Sequence, residues 1–372
     1  MGWAAVAVWA VPLLVICMWI AFFPHERTVT PIYHEATANW WAHKNLYEGP
    51  EGLNYLPHFV VLFTPFHVLP VPAGDILWRA LTTALLASGM WRLLRNEFGN
   101  DIAPIFLWAS LLALPACDGA IRNGQGSALF AALSVHAIAC LPSRHWWSAA
   151  TLMVLALAVR PIGIVLVLLA PFVYASLRWR LVVLLLAFSV FPFLFAPPDY
   201  VIGQLRGFAA NIQACAIYTR QDFADFNGVI RTFGGELPHG VSTILSMLAG
   251  VITLALWRFG ALRVREPFRA WWLLALASVY LMLFNPMNEV NSYVILAPSL
   301  AIWAVTALRN DETRRFGHWV AFIVLTIGIL PEPMRHIFGN RFGPFWHPIV
   351  TVLFLGLLTA QLWRLSFCAQ QK

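Results

Sequence analysis

Four groups of polar residues interrupt an otherwise apolar chain, and each carries side chains suited to work on a sugar or a phosphate. The first runs from Tyr33, His34 and Glu35 to Tyr55 and His58. Glu35 sits at the start of an amphipathic segment, where a base that deprotonates a sugar hydroxyl belongs; the same acid also suits a helix N-terminus on electrostatic grounds alone. The second group is Arg122-Asn123-Gly124-Gln125-Gly126, opening an apolar run. Glycines beside amides at a helix N-terminus suit an anionic or hydroxyl-rich ligand, and they equally suit capping and close helix packing. The third is Arg160-Pro161 between two short apolar runs. A guanidinium there is expensive in lipid unless it serves a phosphate or snorkels to headgroups. The fourth runs from Asn285 through Asn288, Glu289 and Asn291 to Tyr293. It offers the hydrogen-bonding groups that a buried sugar hydroxyl demands, and Asn288 or Asn291 also fits a helix N-cap.

The elements that must position these groups are membrane helices. Of 372 residues, 60% are hydrophobic and 11% charged, against about 25% charged in a soluble domain. At about 20 residues per crossing, the chain has room for about a dozen spans and no separate soluble domain. The periodicity places them near 3–23, 74–95, 102–116, 124–141, 146–159, 161–176, 179–196, 241–258, 268–284, 290–308, 317–331 and 346–364. The first run lacks a basic leader and a cleavage site, so it reads as a retained helix. The net charge of +7 is almost all arginine.

The breaks alternate between arginine-rich and nearly uncharged. Arg92 and Arg95, Arg144, Arg178 and Arg180, the four arginines 258–269, Arg309, Arg314 and Arg315, and Arg364 fall on one side. That side is cytoplasmic by the positive-inside rule, and both termini lie there. The other face holds a long first loop, 24–73, a second large loop, 197–240, and all four polar groups. The loop 197–240 adds Tyr218, Arg220, Gln221, Asp222, Asp225, Asn227 and Arg231 as a possible lid or acceptor platform. The segments 35–47 and 57–71 read as helices in the outer interface, with Trp40, Trp41 and Tyr47 at headgroup level. Were 57–71 to cross, the arginine bias would invert. Of five cysteines, Cys117 and Cys215 share the outer face, and unpaired buried thiols are favoured over a disulfide. No P-loop, nucleophile elbow or metal-ligand spacing is present, and no clustered basic face suits a nucleic acid.

The chain resembles glycosyltransferase family 87, the polyprenol-phosphate-mannose-dependent mannosyltransferases of the C-type membrane glycosyltransferase superfamily. The matching residues run in order: Tyr33, Ala36, Trp41 and Leu46-Tyr47; Tyr55-Leu56-Pro57 with Pro65 and Leu69-Pro70; Leu77-Trp78; Asn123-Gly124-Gln125; Arg160-Pro161; and Asn285-Pro286. The resemblance implies an all-α polytopic protein of one integral membrane domain in a bacterial cytoplasmic membrane. It implies a polyprenyl phosphate sugar as donor, a lipid or glycan acceptor on the outer face, inversion at the anomeric carbon, and no cofactor. On that reading Glu35 is the base, and Arg160 with Arg122 binds the donor phosphate. Tyr33, Tyr55, His58, Asn123, Gln125, Asn288, Glu289, Asn291 and Tyr293 then meet sugar or acceptor. One departure stands out. The family places an aspartate shortly before the tyrosine matched by Tyr33, where this chain has Arg27, Thr28, Val29 and Thr30. Glu35, Glu26 or Glu289 must then supply the base, or the chain binds polyprenyl phosphate without catalysing transfer. A lipid or glycolipid flippase is a further reading, disfavoured by short, arginine-dominated cytoplasmic breaks.

Overall fold

A computed structural model describes residues 2–24, 26–47, 52–217 and 223–370. Every described regular element is helical. The helices are α1 (Gly2–Phe22), α2 (Thr30–Trp41), α3 (Pro57–His67), α4 (Val71–Phe98), α5 (Ile102–Arg122), α6 (Gly126–Ala139), α7 (Trp146–Val159), α8 (Ile164–Leu169) and α9 (Arg178–Val190). They continue as α10 (Pro198–Ile217), α11 (Phe226–Thr232), α12 (His239–Ala261), α13 (Phe268–Phe284), α14 (Ala297–Leu308), α15 (Arg314–Ile329), α16 (Pro331–Phe338) and α17 (Phe342–Gln370).

Burial sorts these helices into a core and a lipid-facing shell. In α13 and α14 nearly every residue is buried, so both lie at the centre. By contrast α12 exposes Val241, Ile244, Met247, Leu248, Val251 and Ile252, and α1 exposes Val11, Leu14, Val15 and Met18. An apolar surface of that extent is untenable in water and is the natural face toward hydrocarbon. What ties α1 down is a narrow stripe, with Trp9 Nε1 donating to Ser110 Oγ of α5 at 2.9 Å. Small residues let helices close: Gly260 lies against Trp272, and Gly328 against Pro115 and Ala116.

Among the described residues, five helical stretches are long and apolar enough to cross a membrane, or six if α3 and α4, bent by 117°, count as one. The stretches expected at 124–141, 146–159, 161–176, 268–284 and 290–308 are apolar helices of 10–17 residues. The dozen crossings are therefore not reached by helix length alone. The shortening has local causes. Pro161 starts a 3-10 turn that breaks the line into α8, and 290–295 forms a 3-10 turn before α14.

The breaks do gather at two ends. At one end, Arg309 lies 5.2 Å from the Phe98 ring, and Asn96 Nδ2 donates to Ala139 O at 2.9 Å. There too Tyr174 donates to Glu266 at 2.7 Å, and Arg180 lies over Trp147 and Trp179. The polar groups meet at the other end, described below.

Three expectations change. The helix expected over 35–47 starts at Thr30 and stops at Trp41, before His43 with φ +53. Trp40 and Tyr47 are buried rather than at headgroup level, packed on Tyr200 and Phe208 of α10; Trp41 is exposed. The stretch 197–240 is largely helix, because α10 lies against the first loop: Gln204 Oε1 accepts from Leu46 N at 3.0 Å, and Tyr200 donates to Lys44 O at 2.7 Å. Tyr218, Arg220, Gln221 and Asp222 lie outside the described residues. Cys117 and Cys215 are unpaired, and Cys215 Sγ donates to Asn54 Oδ1 at 3.2 Å.

Candidate active site

The site is built on the turn from α5 to α6. Gly124 adopts φ +66, a conformation open to glycine at no steric cost. A Cβ there would lie 2.8 Å from Thr30 Cγ2 and 2.9 Å from the Arg79 guanidinium. Trp78 Nε1 donates to Gly124 O at 2.8 Å, and Val29 N to Asn123 O at 3.0 Å.

Beneath the turn lies a buried ionic network that the sequence reading passed over. Arg79, fully enclosed, donates to Arg122 O from Nε at 3.1 Å and from Nη2 at 3.0 Å, capping the end of α5. It also donates to Thr28 Oγ1 at 2.8 Å and to Asp75 O at 3.1 Å, and its Nη1 stands 3.7 Å from Asp75 Oδ2. Asp75 accepts from Thr30 Oγ1 at 2.6 Å and from His34 Nε2 at 3.0 Å. His34 Nδ1 in turn lies 3.3 Å from His67 Nδ1. A charged i,i+4 pair inside an apolar helix was the available signal.

On this base a connected polar cluster forms. Gly126 N donates to Tyr33 OH at 3.1 Å, and Tyr33 OH lies 2.9 Å from Tyr55 OH. A Cβ on Gly126 would come within 3.0 Å of the Tyr55 ring, so glycine lets the ring pack closely on the turn. Burial pushes the Tyr33 phenol well above its ordinary pKa; Tyr55 adds to the rise, while the Gly126 N–H and Arg160 oppose it. The phenol is therefore a neutral hydrogen-bonding group. Arg160, in extended backbone at the end of α7, holds its guanidinium carbon 5.9 Å over the Tyr55 ring. Gln125 Nε2 donates to Glu289 Oε2 at 2.8 Å. One continuous path thus links Arg160, Tyr55, Tyr33, the Gln125-Gly126 turn and Glu289.

The other expected residues fall in different places. Arg122 is half-buried, its Nε enclosed without a partner, and Asn123 is half-buried at the end of α5. Asn291 packs on the bare backbone of Gly119. Glu35 lies on the exposed face of α2, opposite the buried Tyr33, His34 and Thr37.

Three residues expected to meet sugar or acceptor are used within the protein. His58 Nε2 bonds to Phe188 O at 2.8 Å, with its ring stacked at 3.7 Å on Phe188. Asn288, fully buried, donates to Leu281 O and Met282 O, pinning the end of α13, and accepts from Asn285 Nδ2 at 2.8 Å. Tyr293, also fully buried, donates to Ala224 O at 3.1 Å. Asn288 and Tyr293 thus hold their loop in shape, while His58 keeps Nδ1 enclosed without a partner.

An apolar cavity of about 240 Å³ runs between α3, α7 and α9, lined by Leu62, Val154, Leu155, Ala158, Leu184 and Phe188. His58 borders it too, three residues after Tyr55, and Ala158 of its wall lies two residues before Arg160.

A helical membrane protein with a free guanidinium, an amide–carboxylate pair and an adjoining apolar groove is equipped to handle an amphipathic, phosphate-bearing substrate. Its relationship is more specific: the profile of glycosyltransferase family 87 matches residues 54–286, well over half of the chain, and the chain belongs to that family. Tyr55, Gln125, Arg160 and Asn285 lie inside the match; Glu289 lies just beyond its end, and Tyr33 lies before its start. No curated protein matches the chain.

Proposed function

We propose that this glycosyltransferase moves a hexose, mannose first among them, from a polyprenyl phosphate to a lipid or glycan acceptor at the polar end, outside the cytoplasmic membrane. The observation that carries this reading is Arg160: a guanidinium without a hydrogen bond to any described residue, two residues after Ala158 of the apolar groove and beside a cluster of tyrosine, amide and carboxylate. An isoprenoid chain in that groove sets the donor phosphate against Arg160, and Arg122 adds a second cation near the turn.

The geometry favours Glu289 over Glu35 as base, since Glu289 sits with Gln125 in the same cluster and Glu35 faces away. The Glu289 carboxylate takes the proton of the acceptor hydroxyl. The acceptor oxygen attacks the anomeric carbon, the bond from that carbon to the phosphate oxygen breaks, and polyprenyl phosphate leaves. A single displacement inverts the centre. Arg160 stabilises the charge that gathers on the leaving phosphate, a contribution of about 10²–10³-fold for a preorganised donor of this kind.

The test is to incubate purified protein with radiolabelled polyprenyl phosphate mannose and extracted membrane lipids. Glu289→Gln should lower transfer by about 10²–10⁴-fold, the range for loss of a general base, while Glu35→Gln retains it. Transfer that survives in Glu289→Gln and disappears in Glu35→Gln would return the base to α2.

A further inference from the structure

A second cavity of about 190 Å³, with both polar and apolar walls, opens at the same end of the bundle, between α11, the start of α12 and the end of α13. That far exceeds the roughly 10–15 Å³ that one water requires, and it suits a single sugar ring. Its wall carries Asp225, Asn227, His239, Ser242, Thr243 and Ser246, with Phe226 and Phe284 side by side, their ring centres 5.8 Å apart. Polar groups set beside aromatic faces suit the mixed polar and C–H surface of a carbohydrate.

The hydrogen bonds already made decide what the cavity lacks. Thr243 Oγ1 and Ser246 Oγ donate to carbonyls of their own helix, both at 2.9 Å, leaving oxygens that can accept. Asn227 Nδ2 donates to Ser242 Oγ at 2.8 Å, while Asn227 Oδ1 is enclosed without a partner. Asp225 already faces Arg231 at 3.5 Å and caps α11 through Gly228 N. The cavity thus offers hydroxyl and amide acceptors beside the His239 ring, and its acid is already paired. A neutral ligand with several hydroxyls meets that demand, and a cation does not.

The cavity and the candidate active site share one wall. Asn285 and Pro286 line the cavity, Asn285 bonds to Asn288, and the next residue, Glu289, reaches Gln125. The backbone N–H of Ala224, next to Asp225, donates to Asn288 O.

We propose that this cavity binds the hydroxyl-rich headgroup of the acceptor, and that the loop 285–289 sets that headgroup beside Glu289. The inference rests on the transfer reading above. Its test uses the full chain in nanodiscs, probed by saturation-transfer NMR with methyl α-mannoside, myo-inositol and, as a cationic comparison, glucosamine. Wild type should give saturable signals with the two neutral polyols. Asn227→Leu and Ser246→Leu, the second on a sparsely packed helix, should each weaken them by about tenfold, the worth of one or two hydrogen bonds. In the transfer assay the same two cavity variants should raise the acceptor KM and leave the donor KM unaltered. Equal signals in wild type and both variants, no saturable signal in wild type, or a preference for glucosamine would each overturn the proposal. Polyol binding that follows this pattern without any transfer from polyprenyl phosphate mannose would instead count against the donor reading alone.

Discussion

Replacing Arg79 by methionine tests whether the buried network, rather than the helix packing alone, holds the Arg122–Gly126 turn in place. Methionine keeps much of the volume and removes the cation. Asp75, 1% exposed, would retain Thr30 and His34 but lose its ion partner, and Arg122 O would lose both donors that cap it. Breaking a buried pair by deleting one member costs about 3–5 kcal/mol, because the remaining charge has nowhere to go. Neutralising that charge recovers part of the loss, so Asp75→Asn with Arg79→Met should be more stable than Arg79→Met alone. For a chain of this size the single variant should melt about 5 °C lower or more in detergent. Its transfer activity should fall further than its folded fraction, since the turn that carries Gln125 and Gly126 is freed. A melting temperature within experimental scatter of wild type, or a double variant no better than the single one, would refute the reasoning.

Further outcomes follow from the same contacts. Gly124→Ala should destabilise by about 1–3 kcal/mol from backbone strain, with added cost from the close approach of Thr30 and Arg79, read by thermal melting. Tyr33→Phe strands the buried Gly126 N–H, a loss of about 1–3 kcal/mol, visible as faster amide exchange at Gly126. Burial pushes the Asp225 carboxyl above its ordinary value, against the Gly228 N–H, Arg231 and the Asn227 N–H. A raised native value means the folded state keeps this proton to higher pH than the unfolded chain does. Its contribution to stability is present in acid and is lost as pH rises through the native value. Asp225→Asn, which can still cap α11, should therefore melt with wild type in acid and above it at neutral pH.

Much of the molecule was legible in the sequence for simple reasons. Apolar runs and arginine-marked breaks depend on local composition, so the bounds of α7 and α13 agree with the expected 146–159 and 268–284. The clustering of Tyr33, Tyr55, Gln125, Arg160 and Glu289 followed from one face holding all the polar breaks. Less legible was anything set by partners far along the chain. No local pattern tells that Asn288 is spent on the end of α13, that His58 stacks on Phe188, or that α10 covers Trp40 and Tyr47. Asp75 and Arg79 were missed because charges in a span read as its exposed end, whereas Thr28, Thr30, His34 and Arg122 O enclose them here.

The claim that Arg160 anchors a polyprenyl phosphate whose chain fills the neighbouring groove is tested most directly by photolabelling. A polyprenyl phosphate mannose carrying a diazirine on an early isoprene unit is irradiated with the purified protein, and the labelled peptides are mapped. The account predicts label on the groove residues Leu62, Leu155 and Leu184, displaced by unlabelled polyprenyl phosphate and sharply reduced in Arg160→Ala. Label confined to α1 or α12, or label on the groove that survives both competition and loss of Arg160, would contradict it.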